Sequence, residues 1–405
     1  LNPGRSSPEK GPKKSGSCRK ICVITGTRAE FGILRPVLDG ILASPVLDLQ
    51  LVVTGTHLLP EYGETISEIR RLGYPISAEV PLVVAGDDKR SMALSIGVGV
   101  ITLTQALELL GPDIVFILGD RYEMLAAAIA ASYSGRIVAH YGGGDTAGGG
   151  YDEYTRHAIT KVSHIHFVLT DRSARCVRHL GEDPSRVFVA GSAALDTILK
   201  GKRTPASLLR KKYGVDAGAP LALVIQHPNS VEPDQGHREI GLTLEALVDL
   251  KIPSVVIHPN ADPGRRKMVQ EIERYEEAHP GIIRGFRSLP FEDYLGFMQM
   301  AAVLVGNSSS GIVEAPSFHL PVVNIGNRQI SRERAANVID VPPEFDAIRN
   351  AIERAVYDPE FRKTAASCTN PYGKGDAAHR IREVLERLSP DEIQRGKRMF
   401  SRHQE

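Results

Sequence analysis

The chain has 405 residues, 42% of them hydrophobic and 24% charged, with a formal net charge of +1; this is globular composition, long enough for two domains with separate cores, and it excludes a disordered protein. Lys and Arg are interspersed with Asp and Glu, so a nucleic-acid or anionic-membrane partner is excluded while small bound anions are not. No apolar run approaches the ~18 residues of a membrane span and no secretory apolar core follows the N-terminal stretch, so the expectation is a soluble, cytoplasmic protein.

Residues 1–20 hold six basic residues against one acidic among Pro, Gly and Ser, and 1–19 reads as a disordered tail. From Lys20 onward, short apolar runs alternate with amphipathic stretches. KICVITG (20–26) precedes a helical segment near 29–43, and LDLQLVVTG (47–55) precedes another near 58–72. DIVFILGD (113–120), RIVAHYGG (136–143) and HIHFVLT (164–170) follow in the same manner. Strands that read as continuous apolar runs between helices make a parallel sheet covered on both faces, so this half is a doubly wound, Rossmann-like α/β domain. Cys18, Cys22, Cys176 and Cys368 are scattered, with neither metal-ligand spacing nor disulfide density, and read as reduced structural thiols.

After VFVAGSAALD (187–196), the basic and then Gly/Pro-rich stretch 200–220 has weak periodicity and marks a boundary. The pattern then restarts with LALVIQHP (221–228), SVVIHPN (254–260), VLVGNSSSG (303–311) and PVVNIG (321–326). The expected domains are 20–198 and 199–373, followed by 374–405 with a last helix near 375–388 that packs on either one. In open α/β sheets ligands sit beyond the carboxyl ends of strands. The polar motifs of both halves fall there, which implies one ligand held in an interdomain cleft.

GNSSSG (306–311) ends one strand and opens a helix, where free N–H groups and the helix dipole suit a diphosphate; Ser308 and Ser309 add hydroxyls, or one of them caps the helix. Glu314, six residues on from Ser308, either accepts from ribose hydroxyls or is a solvated surface group. Arg28 and Arg121 stand just past strand ends, where a guanidinium forks onto phosphate or pairs with a carboxylate. His227 and Asn260 end strands of the second half, stopped by Pro228 and Pro259. Neither GxxxxGK[ST] nor, after the first strand, GxGxxG occurs, which disfavours ATP-type phosphoryl transfer and a nicotinamide cofactor. The first half carries the titratable groups: His57, Asp120, Glu123, His140, Asp145, Asp152, Glu153, Arg156 and His157. A helix starting near Asp152 sets Arg156 one turn on, as a site pair or as an ordinary helix-stabilising one. His164 and His166 alternate along a strand beside no cysteine or carboxylate cluster and read as core residues; no metal is assigned.

TGTRAEFGILRP (25–36), TGTHL (54–58), GDRYEMLAAA (119–128), DEYTRHAITKVSHIHF (152–167), QHP, GNSSSG and GNRQISRE (326–333), in this order, resemble the hydrolysing UDP-N-acetylglucosamine 2-epimerases from about residue 20 to 390. The resemblance implies the glycosyltransferase-B fold, no cofactor, a homodimer or homotetramer, and UDP contacts at Arg28, Arg121, His227, Asn260, Ser308, Ser309, Glu314 and Arg328. It implies anti elimination of UDP to a 2-acetamidoglucal, then addition of water at C1 with reprotonation of C2 on the other face, yielding N-acetylmannosamine from UDP-N-acetylglucosamine. Asp120 and Asp152 match the family's acid/base positions, with His57 and Arg156 beside them. Where better-known members carry a glutamate two residues after the motif histidine, this chain has Gly142, and HYGGGDTAGGG (140–150) offers Asp145 instead. Asp145 either replaces that acid, its glycines bringing the backbone close to the sugar or to the opposing domain, or caps a turn. The altered loop leaves open a UDP-linked 2,4-diacetamido-2,4,6-trideoxyhexose as the substrate; a transferase of the same fold and a binding protein without chemistry are the other readings.

Overall fold

The computed structural model describes residues 18–60, 63–85, 89–145, 151–215, 219–228, 235–259, 264–389, 393 and 397, without the side chains of Lys89, Tyr151 and Asp152. Most of the 1–19 tail, Asn260 and the loop after Asp145 therefore lie outside the described residues.

The first half runs β1 (Arg19–Thr25), α1 (Arg28–Leu42), β2 (Leu47–Thr54), α2 (Ile66–Arg71), β3 (Ile76–Val80), α3 (Lys89–Leu110), β4 (Ile114–Leu118), α4 (Tyr122–Tyr133), β5 (Ile137–Tyr141), α5 (Tyr151–Val162), β6 (Ile165–Val168), α6 (Asp171–His179), β7 (Val187–Val189) and α7 (Ala193–Lys200). Its seven strands lie in the order β3-β2-β1-β4-β5-β6-β7, every neighbour pair parallel. Every residue of β4, β5 and β6 is buried, which is why they read as unbroken apolar runs. The start of α1 is fixed by a capping box: Thr27 Oγ1 accepts from Glu30 N while the Glu30 carboxylate accepts from Thr27 N.

The helix expected over 58–72 is shorter. Residues Gly55–Leu58 form a 3₁₀ turn and the α-helix is confined to Ile66–Arg71, because Pro60 and Gly63 interrupt the segment. The expectation that no segment is apolar enough for a membrane span also needs correcting. Arg90–Leu110 of α3 has that length and composition, with a mean hydropathy of 1.7 over its most apolar window. In the fold α3 packs along α4 and behind β3.

The second half runs α8 (Ala206–Tyr213), β8 (Ala222–Ile225), α9 (Gly236–Asp249), β9 (Ser254–Ile257), α10 (Arg265–Ala278), β10 (Ile283–Phe286), α11 (Phe291–Met300), β11 (Val303–Gly306), α12 (Ser309–Val313), β12 (Val322–Ile325), β13 (Val338–Val341), α13 (Phe345–Tyr357), α14 (Pro359–Ala366) and α15 (Ala377–Arg387). The six strands order as β10-β9-β8-β11-β12-β13, again all parallel. Within the weakly periodic 200–220 stretch, α8 is a packed helix: Leu209 and Tyr213 are buried, and Asp293 of α11 accepts from Thr204, Lys212 and Tyr213. In both sheets the strand order reverses at one point, between β1 and β4 and between β8 and β11. In open α/β sheets that point, beyond the carboxyl ends of the strands, is where ligands bind.

The last helix returns to the first half. Ile381, Val384 and Leu385 of α15 join the core formed by α1 and the first sheet, and Asp196 of α7 accepts from Ala377 N at 3.0 Å and Ala378 N at 3.3 Å. Arg19 Nη1 donates to the Leu385 carbonyl.

Candidate active site

Strands β4 and β5 end side by side and build the floor of the crevice. Gly119 N donates to Tyr141 O at 2.8 Å, and His140 Nε2 lies 2.7 Å from Gly119 O. A carbonyl only accepts, so Nε2 carries the proton and the ring is held by Gly119 on one side and Thr160 on the other. Burial lowers the His140 pKa to about 3. The ring is therefore a neutral brace between β4, β5 and α5.

The glycine run turns sharply here. Gly142 has φ +91°, a conformation in which a glutamate, the residue the resemblance implies at this position, would be strained. Gly144 has φ +72°, and a Cβ there would stand 2.3 Å from the Ser173 carbonyl on α6. The close approach expected of these glycines is thus made to α6 of the same domain, and it delivers the next residue, Asp145, to the cleft. Asp145 is 8% exposed, and its carboxylate does more than cap a turn. Arg156 Nη1 lies 3.4 Å from it and Arg332 Nε, from the second half, 3.7 Å.

Arg156 is the hub. It donates to Asp120 as well as facing Asp145, so α5 holds two carboxylates on one guanidinium. Burial, with the charge of Arg332 adding to it, lowers the Arg156 pKa to about 10, which leaves it protonated at neutral pH. The Nε atoms of Arg156 and Arg332 are buried and make no hydrogen bond among the described residues. Both are charged donors. Asp152 is the second residue of α5, one turn before Arg156, its side chain outside the described set.

Beneath this cluster lies a second acidic group. Arg121 forks onto Glu123 at 2.8 and 3.1 Å, which holds its guanidinium firmly charged. Glu30 accepts from Gly26 N and Thr27 N through Oε2, while its buried Oε1 makes no hydrogen bond among the described residues. Burial, with Glu123 nearby, raises the Glu30 pKa to about 7. His57 needs correcting as a proton carrier. It is fully buried, both ring nitrogens face threonine hydroxyls, Thr25 at 3.1 Å and Thr65 at 2.7 Å, and burial lowers its pKa to about 4. It braces the end of β1. Arg28 points outward, its side chain 75% exposed and 3.3 Å from Glu68.

Across the cleft, Asn307 and His227 tie β8 to β11: His227 N donates to Asn307 Oδ1 and Asn307 Nδ2 to His227 O, both at 2.8 Å. The Asn307 carbonyl accepts from Arg328 at 3.1 Å and Gln329 at 3.0 Å. This anchors the loop that carries Arg332. Ser308 caps α12, its hydroxyl accepting from Ser310 N, which leaves Ser309 in the first turn. Because α12 has only five residues, its dipole is small, and polar contacts here come from individual N–H and hydroxyl groups. Glu314 ends α12, and Tyr294 donates to its carboxylate. Its own pKa is raised by burial. Asn260 lies outside the described residues. No three His, Cys, Asp or Glu side chains converge as a metal needs among the described residues.

Sequence reasoning passed over Arg332 and Glu30. Arg332 carried no signal beyond being basic in GNRQISRE, since its partner is 187 positions away. Glu30 was marked by the T-x-x-E spacing of a capping box.

Two Rossmann-like sheets facing each other across paired switch points, with acids from one and an arginine from the other, define a nucleotide-sugar enzyme of the glycosyltransferase-B fold. The sequence profile described as UDP-N-acetylglucosamine 2-epimerase matches residues 41–386, and the chain belongs to that family. It is 37% identical, over 91% of its own length and 96% of the relative's, to UDP-N,N'-diacetylbacillosamine 2-epimerase (hydrolyzing) of Legionella pneumophila. It is 32% identical, over 83% and 87%, to UDP-N-acetylglucosamine 2-epimerase of Neisseria meningitidis serogroup B. The crystal structure of a Neisseria meningitidis UDP-GlcNAc 2-epimerase bound to UDP-GlcNAc shares the fold, with a TM-score of 0.77 at 20% identity over 90% of this chain and 99% of that one.

Proposed function

We propose that this protein is a hydrolysing 2-epimerase acting on a UDP-linked 2,4-diacetamido-2,4,6-trideoxyhexose, releasing UDP and the free sugar inverted at C2. The observation that carries the chemistry is the Asp120–Arg156–Asp145 group, with Arg156 and Asp145 buried and Asp120 half-buried, closed by Arg332 of the other half. The sugar is supported by the Legionella relative and its name. It is supported also by the floor of the site, where Gly119 and Gly142 lie side by side and, among the described residues, a Cβ on Gly142 would find no atom nearer than 3.9 Å. A floor without side chains accommodates an additional acetamido group at C4.

The C2 proton is weakly acidic, so cleavage of C1–O leads, and the charge growing on the leaving diphosphate needs preorganised donors. Arg156 and Arg332, two cationic side chains that meet at Asp145, are suited to that charge or to the ring oxygens beside it. One carboxylate takes the C2 proton as the C1–O bond breaks, giving UDP and the 2-acetamido glycal. Water then bonds through oxygen to C1 while a second acid protonates C2 from the opposite face, and the remaining water proton replenishes that acid. Asp120, Asp145 and Asp152 are assigned to these steps. Arg121, His227, Asn260, Ser308, Ser309, Glu314 and Arg328 are assigned to UDP, with Arg28 at the rim.

The test is turnover in heavy water with UDP-2,4-diacetamido-2,4,6-trideoxyglucose and with UDP-N-acetylglucosamine, the rival substrate favoured by the Neisseria relative's name. Expected are free UDP, a free sugar carrying deuterium at C2, and a kcat/KM preference for the diacetamido sugar of roughly a hundredfold. Retention of hydrogen at C2 would overturn the reaction; preference for UDP-N-acetylglucosamine would overturn the substrate.

A further inference from the structure

Residues 326–337, which join β12 to β13 and carry Arg332, contain neither helix nor strand. Their first part is folded into turns, in which Ile330 N donates to Asn327 O at 3.0 Å and Arg332 N to Gln329 O at 3.1 Å. A segment outside the ladders of regular structure opens locally at little cost, yet this one presents a guanidinium 3.7 Å from Asp145 on the opposite domain. Its rigidity has to come from side chains.

Arg334 supplies it. Its side chain folds back over its own loop: Nη1 donates to Arg332 O at 2.6 Å and to Ile330 O at 3.2 Å, while Nη2 donates to Gln329 O at 2.8 Å. On the other side, Nε lies 2.7 and 3.0 Å from the two carboxylate oxygens of Asp340. Asp340 stands on β13 directly across from Asn324 of β12, and Asn324 Nδ2 donates to it at 2.7 Å. One planar group therefore ties three carbonyls of the loop to the edge of the second sheet. A guanidinium has five N–H donors in fixed directions, whereas an ammonium has three on one atom and cannot span these acceptors. We infer that Arg334 is a positioning residue for the reaction, setting the place of Arg332 against Asp145 by holding the Arg332 carbonyl from behind. This rests on the use of Arg332 in the function proposed above. The side chains of Arg328 and Gln329 are held separately, on the Asn307 carbonyl, so loss of Arg334 releases 330–332 and leaves that anchor in place.

Arg334→Ala and Arg334→Lys in the full chain test this, each with two readouts. Hydrogen exchange followed by mass spectrometry reports the loop itself and does not depend on the reaction. In both variants the amides of Ile330 and Arg332 are expected to exchange roughly tenfold faster or more, with those of β8 and β11 unchanged as the control for folding. Lysine keeps the charge and most of the bulk, so it reads the fork even where the alanine variant is unstable. Turnover of UDP-2,4-diacetamido-2,4,6-trideoxyglucose reports the consequence: kcat lower by roughly tenfold to a hundredfold, with the UDP dissociation constant within about threefold of wild type. In the Arg332→Ala background, Arg334→Ala is expected to cost less than about a further threefold, because it acts through Arg332. Unchanged exchange in both variants overturns the inference, as does a loss of kcat that adds in full to that of Arg332→Ala. Wild-type exchange in Arg334→Lys alone overturns the fork, since charge would then suffice. Faster exchange with kcat unchanged in Arg334→Ala and Arg332→Ala alike leaves the hold on Arg332 standing and overturns instead the use of Arg332 in the proposed function.

Discussion

Glu30 has one carboxylate oxygen bonded twice to backbone N–H groups and the other not at all. Its pKa of about 7 lies above the ordinary 4.5. The folded chain therefore keeps a proton across that interval which the unfolded chain has lost, and raising the pH from 4.5 through 7 withdraws stability. Glu30→Gln fixes the neutral form, so its melting temperature relative to wild type is expected to rise by about 2–5 °C between pH 5 and pH 8. His57 and His140, with pKa values lowered to about 4 and about 3, have the opposite slope below pH 6.5, but they are present in both proteins and cancel in the difference. A flat difference curve would show that Glu30 titrates normally. Asp145 calls for a kinetic test. Asp145→Asn is expected to lower kcat roughly a hundredfold or more with UDP affinity kept, and Arg332→Ala to lower it comparably. If the two act through one contact, the double variant loses little more than either. Full additivity would separate them.

At the level of elements, the strands were legible because all-parallel sheets bury both faces and leave unbroken apolar runs such as IVFIL in β4. The expectation that polar motifs gather beyond the carboxyl ends of the strands followed from that, whereas the switch points depend on strand order, which apolar runs do not encode. Asp120 was legible as the polar residue at a strand end, and Asp145 as the one acid in a glycine run. Three things were not. Helix α3 buries one stripe and exposes another apolar one, which blurs the amphipathic pattern that reveals a helix. The short α2 follows Pro60 and Gly63, whose effect on the exact bounds is local. The destination of α15 depends on Asp196, 181 residues before Ala377, and no periodicity encodes such a pair. That contact carries its own prediction. Asp196→Ala leaves the first N–H groups of α15 without their acceptor, at a cost of about 1–2 kcal/mol. The amides of 377–387 are expected to exchange faster by the corresponding factor, roughly 5–30-fold. Unchanged exchange would mean that packing of Ile381, Val384 and Leu385 alone fixes the helix.

For the molecule as a whole, the two halves are joined by two chain crossings that touch. Ser192 N donates to Tyr372 O at 2.7 Å, and Tyr372 Oη donates to Glu333 O at 3.0 Å, next to Arg332. Tyr141, one residue before Gly142, reaches the same place by donating to Gly191 O at 2.8 Å. The hinge is thus bonded both to the loop that presents Asp145 and to the segment that presents Arg332. Gly191 sits at its centre with φ +88°, where a Cβ would stand 2.9 Å from Tyr372 O. In Gly191→Ala the methyl pushes the Tyr372 carbonyl away, and with it the Glu333–Arg332 segment. Strain of this kind costs roughly 1–3 kcal/mol, and a displacement near 1 Å at a catalytic contact costs roughly a hundredfold in rate. UDP is assigned mainly to the second half, whose internal bonds through Asn307 do not pass through the hinge. The expected outcome is therefore a split: kcat lower by roughly tenfold to a hundredfold, and a UDP dissociation constant, measured by calorimetry on the same folded sample, within about threefold of wild type. Equal loss of both would place the damage in general unfolding. Loss of neither would show that the halves hold Asp145 and Arg332 together without the hinge.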